Sequence, residues 1–81
     1  MSEEHLKFLG RRSELELKKK NLELRIEALV NGAREELDPL KDAADLRADL
    51  IVSQSLEIAE AIDRIRETIA DLKKIRDILG R

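Results

Sequence analysis

Apolar residues recur at spacings of three and four along most of this chain. In the first half, Phe8, Leu15, Leu22 and Leu29 lie seven residues apart, and positions 12, 19, 26 and 33 fall between them. Such an alternation is the a and d pattern of a heptad repeat. The first half therefore predicts a long amphipathic helix that packs along a second helix.

The second half carries a stronger stripe of the same kind. Its members are spaced by seven without interruption: Ile51, Ile58, Ile65, Leu72 and Leu79. We expect the intervening seam positions to be 48, 55, 62, 69 and 76, three residues before each member. This pattern predicts a second long helix that contributes most of the core.

Two stop signals compete for the end of the first helix. Asn31-Gly32 has the composition of a left-handed C-cap, but the helix-forming segment AREEL that follows it continues the stripe. Asp38-Pro39 suits the N-cap and first position of a new helix. The sequence leaves open whether helix 1 stops near Asn31, with a loop from 31 to 38, or passes a weak point there.

The fold class that follows is all-α, a single domain over residues 1–81. We expect an antiparallel two-helix hairpin, coiled-coil-like, with helix 1 over about 3–37, a turn at 38–39 and helix 2 over about 39–79. A reversal at Asp38-Pro39 would place residue 15 opposite residue 62, and residue 22 opposite residue 55. Asp42 and Asp45 would then lie at the positive end of the second helix dipole.

The second helix is apolar well beyond one seam, so it is expected to contact more than one neighbour. We predict a homo-oligomer, with a dimeric four-helix bundle favoured, and a different protein partner on the same face as the alternative. The predicted interface residues lie on the apolar sides of helix 2: Val52, Ala59, Ala61, Ile62, Ile65, Ile69, Leu72 and Ile75.

Composition supports long helices in a reducing compartment. Of 81 residues, 42% are charged and 42% hydrophobic, Phe8 is the single aromatic, and there is no cysteine. Such a composition is typical of coiled coil, and a chain this short commonly gains stability by association. The N-terminal segment reads as neither a secretory signal nor a membrane span, so we expect a cytoplasmic protein with no membrane contact.

Motifs that carry catalytic or metal chemistry are nearly missing from the sequence. His5 is the single histidine, and it stands beside acidic residues near the N-terminus. The carboxylates around Asp38 lack the glycine and ligand spacing of a calcium loop. No glycine-rich phosphate loop or paired nucleophile and base is present. We therefore predict no catalytic, cofactor-binding or metal-binding residues and a protein that is not an enzyme.

Three cations occupy predicted seam positions: Arg12, Lys19 and Arg76. Most simply, their stems cover apolar surface while their heads reach water. Alternatively they specify register, or they form an anion contact with Arg11 and Lys18. All-helical chorismate mutases are a precedent for such an anion pocket, although this chain shows no second break in helix 2.

Charge is distributed unevenly along the chain. Residues 31–63 hold nine acids and three bases, whereas residues 7–20 hold six bases and two acids, and residues 64–81 hold six bases and three acids. A hairpin then has an acidic turn end and a basic open end. The ends are either plain solvated faces, a guide for antiparallel assembly, or a contact for nucleic-acid phosphates, which the lack of stacking aromatics disfavours.

The function expected from these patterns is association with proteins, in self-assembly or as an adaptor, scaffold, chaperone or regulatory partner. A nucleic-acid accessory role through the basic end, and a small helical enzyme with an anion pocket, are the alternatives.

Overall fold

The protein is a helical hairpin, as the two heptad stripes predict. The computed structural model describes residues 2–80, in which helix α1 (Glu3–Glu36) and helix α2 (Ala48–Leu79) run antiparallel, with a short 3₁₀ turn (Ala43–Asp45) between them. The two helices pack along each other in a rod of 62 × 15 × 14 Å. The predicted fold class is confirmed.

Helix α1 begins at a capped end and runs unbroken past the first stop signal. The Ser2 hydroxyl accepts a hydrogen bond from the His5 backbone N–H at 3.2 Å, which satisfies one free amide of the first turn. The helix continues through Gly32, and the Leu37 N–H donates to the Ala33 carbonyl at 2.9 Å at its end. The apolar stripe that continues through Ala33 therefore prevails over the local stop signal.

The second helix does not begin at Pro39, and this expectation from the sequence was wrong. Helix α2 starts at Ala48, so the eleven residues 37–47 form a linker instead of a two-residue turn. The Asp38 carboxylate accepts from the Leu40 N–H at 2.9 Å, and the Lys41 N–H donates to the Asp38 carbonyl at 3.1 Å. Asp38 thus closes a local turn instead of capping a long helix.

The longer linker changes which residues face each other. Leu15 packs in one cluster with Leu72 and Ile75, whereas a tight turn would have placed it against Ile62. The predicted pairing of residue 15 with residue 62 is therefore wrong. Compared with the predicted pairing, α1 packs closer to the C-terminal end of α2. The reason is that residues expected at the start of the second helix belong to the linker instead.

Half of the α2 seam also differs from the prediction. The heptad of Ile51 and Ile58 faces α1 as expected, but the buried intervening residues are Ala61, Thr68 and Ile75. The predicted intervening residues Ser55, Ile69 and Arg76 are exposed instead. The predicted and observed seams share the same heptad of isoleucine and leucine and differ only in the positions between its members. The observed seam excludes Arg76. The prediction for α1 agrees with the structure, since no position of its stripe is exposed.

The core is small and lies toward the open end of the hairpin. Leu15 and Leu72 are each 1% exposed, and Phe8 and Leu79 pack against them. Thr68 is also buried, and its hydroxyl donates to the Arg64 carbonyl at 2.8 Å, one turn earlier. This bond satisfies the buried hydroxyl within the helix itself.

Candidate functional site

The hairpin leaves many large apolar side chains in contact with water. Among the residues described, ten large hydrophobic residues are exposed, whereas five hydrophobic residues are buried. Seven of the ten lie within the two helices: Leu6, Leu17, Leu24, Val52, Leu56, Ile69 and Ile78. Exposed apolar surface on this scale in a small protein commonly marks an interaction site.

One row of these side chains follows α2. Positions 52, 55, 59, 62, 66 and 69 recur at alternating steps of three and four, so they share one face of the helix. Val52 is 59% exposed and Ile69 is 46% exposed, and between them Ile62 is half-buried. We call these six positions the outer stripe of α2. Leu56, 60% exposed, lies beside it.

An open groove joins the two helices. Ile26 and Val30 of α1 and Ile65 of α2 form its apolar part, and Glu23 and Arg34 are among the charged residues at its rim. The half-buried isoleucines of the groove belong to the seam on one side and reach solvent on the other. The intramolecular core is therefore continuous with exposed apolar surface.

The interface residues predicted from the sequence fall into two groups. Ala61, Leu72 and Ile75 are buried within the hairpin, so α1 already covers them. The others remain at least partly accessible to a partner: Val52, Ala59, Ile62, Ile65 and Ile69. The burial of Ala61 and Ile75 follows from the corrected α2 seam, because the observed intervening positions turn a different side of the helix toward α1, whereas Leu72 belongs to the heptad that the predicted and observed seams share.

The predicted interface set omitted every exposed leucine, among them Leu17, Leu24 and Leu56. Leu56 lies beside the outer stripe of α2, while Leu17 and Leu24 lie on α1 at a spacing of seven. That spacing was a usable signal, but the stronger stripe through Leu15 and Leu22 accounts for the helix on its own. Leu17 and Leu24 lie on the side of α1 opposite to the one that Leu15 and Leu22 turn toward α2.

The three cations predicted at seam positions do not converge on a free anion pocket. Arg76 Nη2 is 3.6 Å and Arg12 Nε is 3.9 Å from the same Glu16 Oε1. Lys19 Nζ lies 3.7 Å from Glu23 Oε1. Glutamates of α1 thus lie close enough to neutralise these cations. The side chains are partly exposed, where such pairs contribute little stability, but Arg12 Nε itself is buried and makes no hydrogen bond.

The other two anion-contact candidates lie outside the seam. Arg11 Nη1 is 3.4 Å from Glu14 Oε2 in an exposed pair one turn along the helix. Lys18 lies beside Leu17 at the edge of a shallow depression on α1. Neither residue is brought against Arg76 by a contact that the structure shows.

The most buried charge lies at the turn end. Glu36 is 5% exposed, and its carboxylate accepts from Arg47 Nε at 3.0 Å and from Arg47 Nη2 at 3.4 Å. Lys41 Nζ is 3.6 Å away. The hydrogen bonds from Arg47 hold the pKa of the Glu36 carboxyl below its ordinary value. Burial acts in the opposite direction, and the positive charge of Lys41 also lowers this pKa.

Two further properties concern only residues 2–80. Neither of the two long helices contains a stretch apolar enough to cross a bilayer. Within the same residues, no group of three or more histidine, cysteine, aspartate or glutamate side chains has the arrangement of a metal site.

By its fold and its exposed residues, this protein is a helical hairpin with large apolar side chains exposed on both helices. No protein-family model matches the chain, and neither curated proteins nor solved structures yield a significant match.

Proposed function

We propose that this protein acts by protein–protein association, in self-assembly or as an adaptor, scaffold, chaperone or regulatory partner, and that it is not an enzyme. The observation that carries the proposal is the number of exposed large apolar side chains, which exceeds the number of buried ones in the part of the chain described. We expect it to act in the cytoplasm, since a chain without cysteine suits a reducing compartment.

The energetic argument is one of scale. Full burial of a leucine, isoleucine or valine side chain contributes roughly 1.5–3 kcal/mol relative to leaving it in water. The net stability of a small domain is only about 5–15 kcal/mol. Val52, Leu56 and Ile69 are about half exposed, so a partner that covers all three contributes about half of that figure for each, roughly 2–5 kcal/mol in total, which is a substantial fraction of the net stability of a small domain.

The alternatives rest on weaker grounds. An anion pocket for an enzyme requires cations that converge and are free to bind substrate, but Arg12 and Arg76 both contact Glu16. A nucleic-acid contact requires a basic surface, and Arg11 and Lys19 are likewise paired with glutamates. The exposed apolar surface has no role in either alternative, whereas association uses it directly.

Sedimentation velocity across the micromolar range tests the proposal. We expect a mass of at least twice the 9.3 kDa of one chain, and a thermal midpoint that rises with protein concentration, because association stabilises the folded state by mass action. A folded monomer whose thermal midpoint does not depend on protein concentration would contradict self-association. Association with a different protein would then be the remaining form of the proposal.

A further inference from the structure

We infer that a second copy of this chain covers the outer stripe of α2, with the two α2 helices antiparallel about a two-fold axis between Ala59 and Ile62. This inference rests on the proposed function, association through exposed apolar surface. It adds the partner, the surface and the direction of packing.

The spacing of the outer stripe is the same when read from either end. Its positions 52, 55, 59, 62, 66 and 69 are separated by steps of three, four, three, four and three. A two-fold interface requires a patch that is complementary to itself, so that each contact occurs twice. In the antiparallel pair, Val52 meets Ile69 of the second copy, and Ala59 meets Ile62 of the second copy.

The residue types suit this pairing. At the axis, the small side chain of Ala59 faces the large side chain of Ile62, which allows the helices to approach closely. Arg66 is the one charged member of the stripe, and it faces Ser55, whose hydroxyl can accept a hydrogen bond from the guanidinium. A parallel pair would instead place Arg66 against Arg66 of the second copy, and like charges repel.

Charges outside the stripe favour the same direction. In the antiparallel arrangement, residues 48–57 of α2, with two acids and no base, lie along residues 64–73 of the second copy, with three bases and two acids. Asp49, in the first turn of α2, lies beside Lys73 of the second copy. Complementary potentials of this kind set the orientation of association.

The outer stripe is also continuous with the core of the hairpin. Ile58 and Ile65 are half-buried seam residues at the edge of the stripe, so a second α2 would cover the part of each that α1 leaves exposed. By contrast, Leu17 on α1 is bordered by Glu14, Lys18 and Arg25. Depletion of charge at the centre of the patch is the compositional mark of an interface, and it favours α2.

Disulfide trapping tests the direction directly, because the chain has no cysteine of its own. Val52→Cys and Ile69→Cys are purified separately, mixed, oxidised and analysed on a non-reducing gel. Both positions are about half exposed, so neither change removes a core contact. We expect a covalent dimer in the mixture and none in either variant alone. Cross-linking of a single variant with itself, or none in the mixture, would overturn the antiparallel pairing.

A matched pair of charge variants tests the surface by sedimentation. Ile69→Glu places a carboxylate in the stripe, and Leu24→Glu places one on the outer side of α1, at similarly exposed positions. We expect Ile69→Glu to sediment near 9.3 kDa with its helical circular dichroism retained, while wild type and Leu24→Glu sediment as dimers.

The remaining outcomes separate this inference from the proposed function. If Leu24→Glu dissociates and Ile69→Glu does not, the outer stripe is wrong but self-association stands. If the wild type is a monomer throughout, the inference fails and the proposed function retains only association with a different protein. If Ile69→Glu fails to fold, disulfide trapping still decides the matter.

Discussion

Arg47 Nε lies 3.0 Å from Glu36 Oε1, and so joins two residues that are eleven apart in the chain. Glu36 is the last residue of α1, and Arg47 immediately precedes α2. A second hydrogen bond, from Arg47 Nη2 to Glu36 Oε2 at 3.4 Å, makes the contact bidentate. Pairs of this geometry are the stronger kind of ion pair. The end of one helix is thereby tied to the start of the next across the linker.

The contact predicts that stability falls in acid. Because the folded-state pKa of Glu36 is lowered, its contribution is fully present above the ordinary value of 4.5 and is lost as the pH falls from there through the folded-state pKa. Urea denaturation of wild type and Glu36→Gln at neutral and acidic pH measures this. We expect Glu36→Gln to be less stable at neutral pH and the difference to shrink in acid.

Glu35→Gln is the control, since the neighbouring Glu35 is exposed. It should leave the neutral-pH midpoint close to that of wild type. A difference between wild type and Glu36→Gln that stays constant from neutral to acidic pH would contradict the role assigned to the ionised carboxylate.

Gly32 lies inside α1 and predicts a stabilising substitution. A Cβ added at Gly32 would meet Gln54 Nε2 at 3.7 Å, an ordinary van der Waals distance, so alanine fits there. Since glycine in a helix interior is about 0.5–1 kcal/mol less favourable than alanine, Gly32→Ala should raise the free energy of unfolding by that amount. Chemical denaturation measures the change.

Gly10→Ala is the matched control for an unobstructed site, because no atom outside the local helix lies within 4 Å of its added Cβ. Both variants should stabilise the protein. A loss of stability in Gly32→Ala alone would mean that Gln54 cannot yield and that the helices approach more closely there than the structure shows.

The core cluster predicts unequal costs for two leucines of one helix. Leu15 is 1% exposed against Leu72 and Ile75, whereas Leu24 is 57% exposed. Leu15→Ala should therefore cost about 2–5 kcal/mol, and Leu24→Ala less than about 0.5 kcal/mol. Denaturation of both variants at equal protein concentration provides the test, and equal costs would place Leu24 in a buried contact.

An unpartnered polar atom in the seam predicts a second stabilising change. The side-chain oxygen of Gln54 is buried and has no hydrogen-bond partner. Gln54→Met keeps the length of the side chain and removes the amide, so it should stabilise the protein by about 1 kcal/mol. Thermal denaturation measures the shift. Gln54→Glu, which places a charge at the same position, should destabilise the protein. Stabilisation by both substitutions would contradict a buried, unpartnered oxygen at Gln54.

The hydrophobic pattern along the chain was sufficient to predict the two helices. The heptad through Leu15 and Leu22 predicted both α1 and its buried side, because a single helix must turn its one continuous apolar stripe toward its neighbour. The competing signals at Asn31-Gly32 stayed unresolved, since a glycine in a helix costs only about 1 kcal/mol, which packing of the remaining stripe can offset.

The candidate surface was predicted in part. The width of the apolar face predicts Val52, Ala59 and Ile69 as interface residues, and the structure leaves them exposed. The same width predicts Ala61 and Ile75, and the hairpin buries them. A wide apolar face shows that a helix has apolar residues on more than one side. It does not show which of these sides packs against the neighbouring helix of the same chain.

Sequence by itself determined two long amphipathic helices, their antiparallel pairing and the uneven charge along the rod. Only the tertiary structure decided the linker of residues 37–47, the slip that sets Leu15 against Leu72, and the side of α2 that stays open. The physical reason is that both alternations of α2 contain the same heptad of isoleucine and leucine. Packing of α1 against the side of α2 that carries Ala61, Thr68 and Ile75 distinguishes the two alternations, and that packing joins residues far apart in the chain.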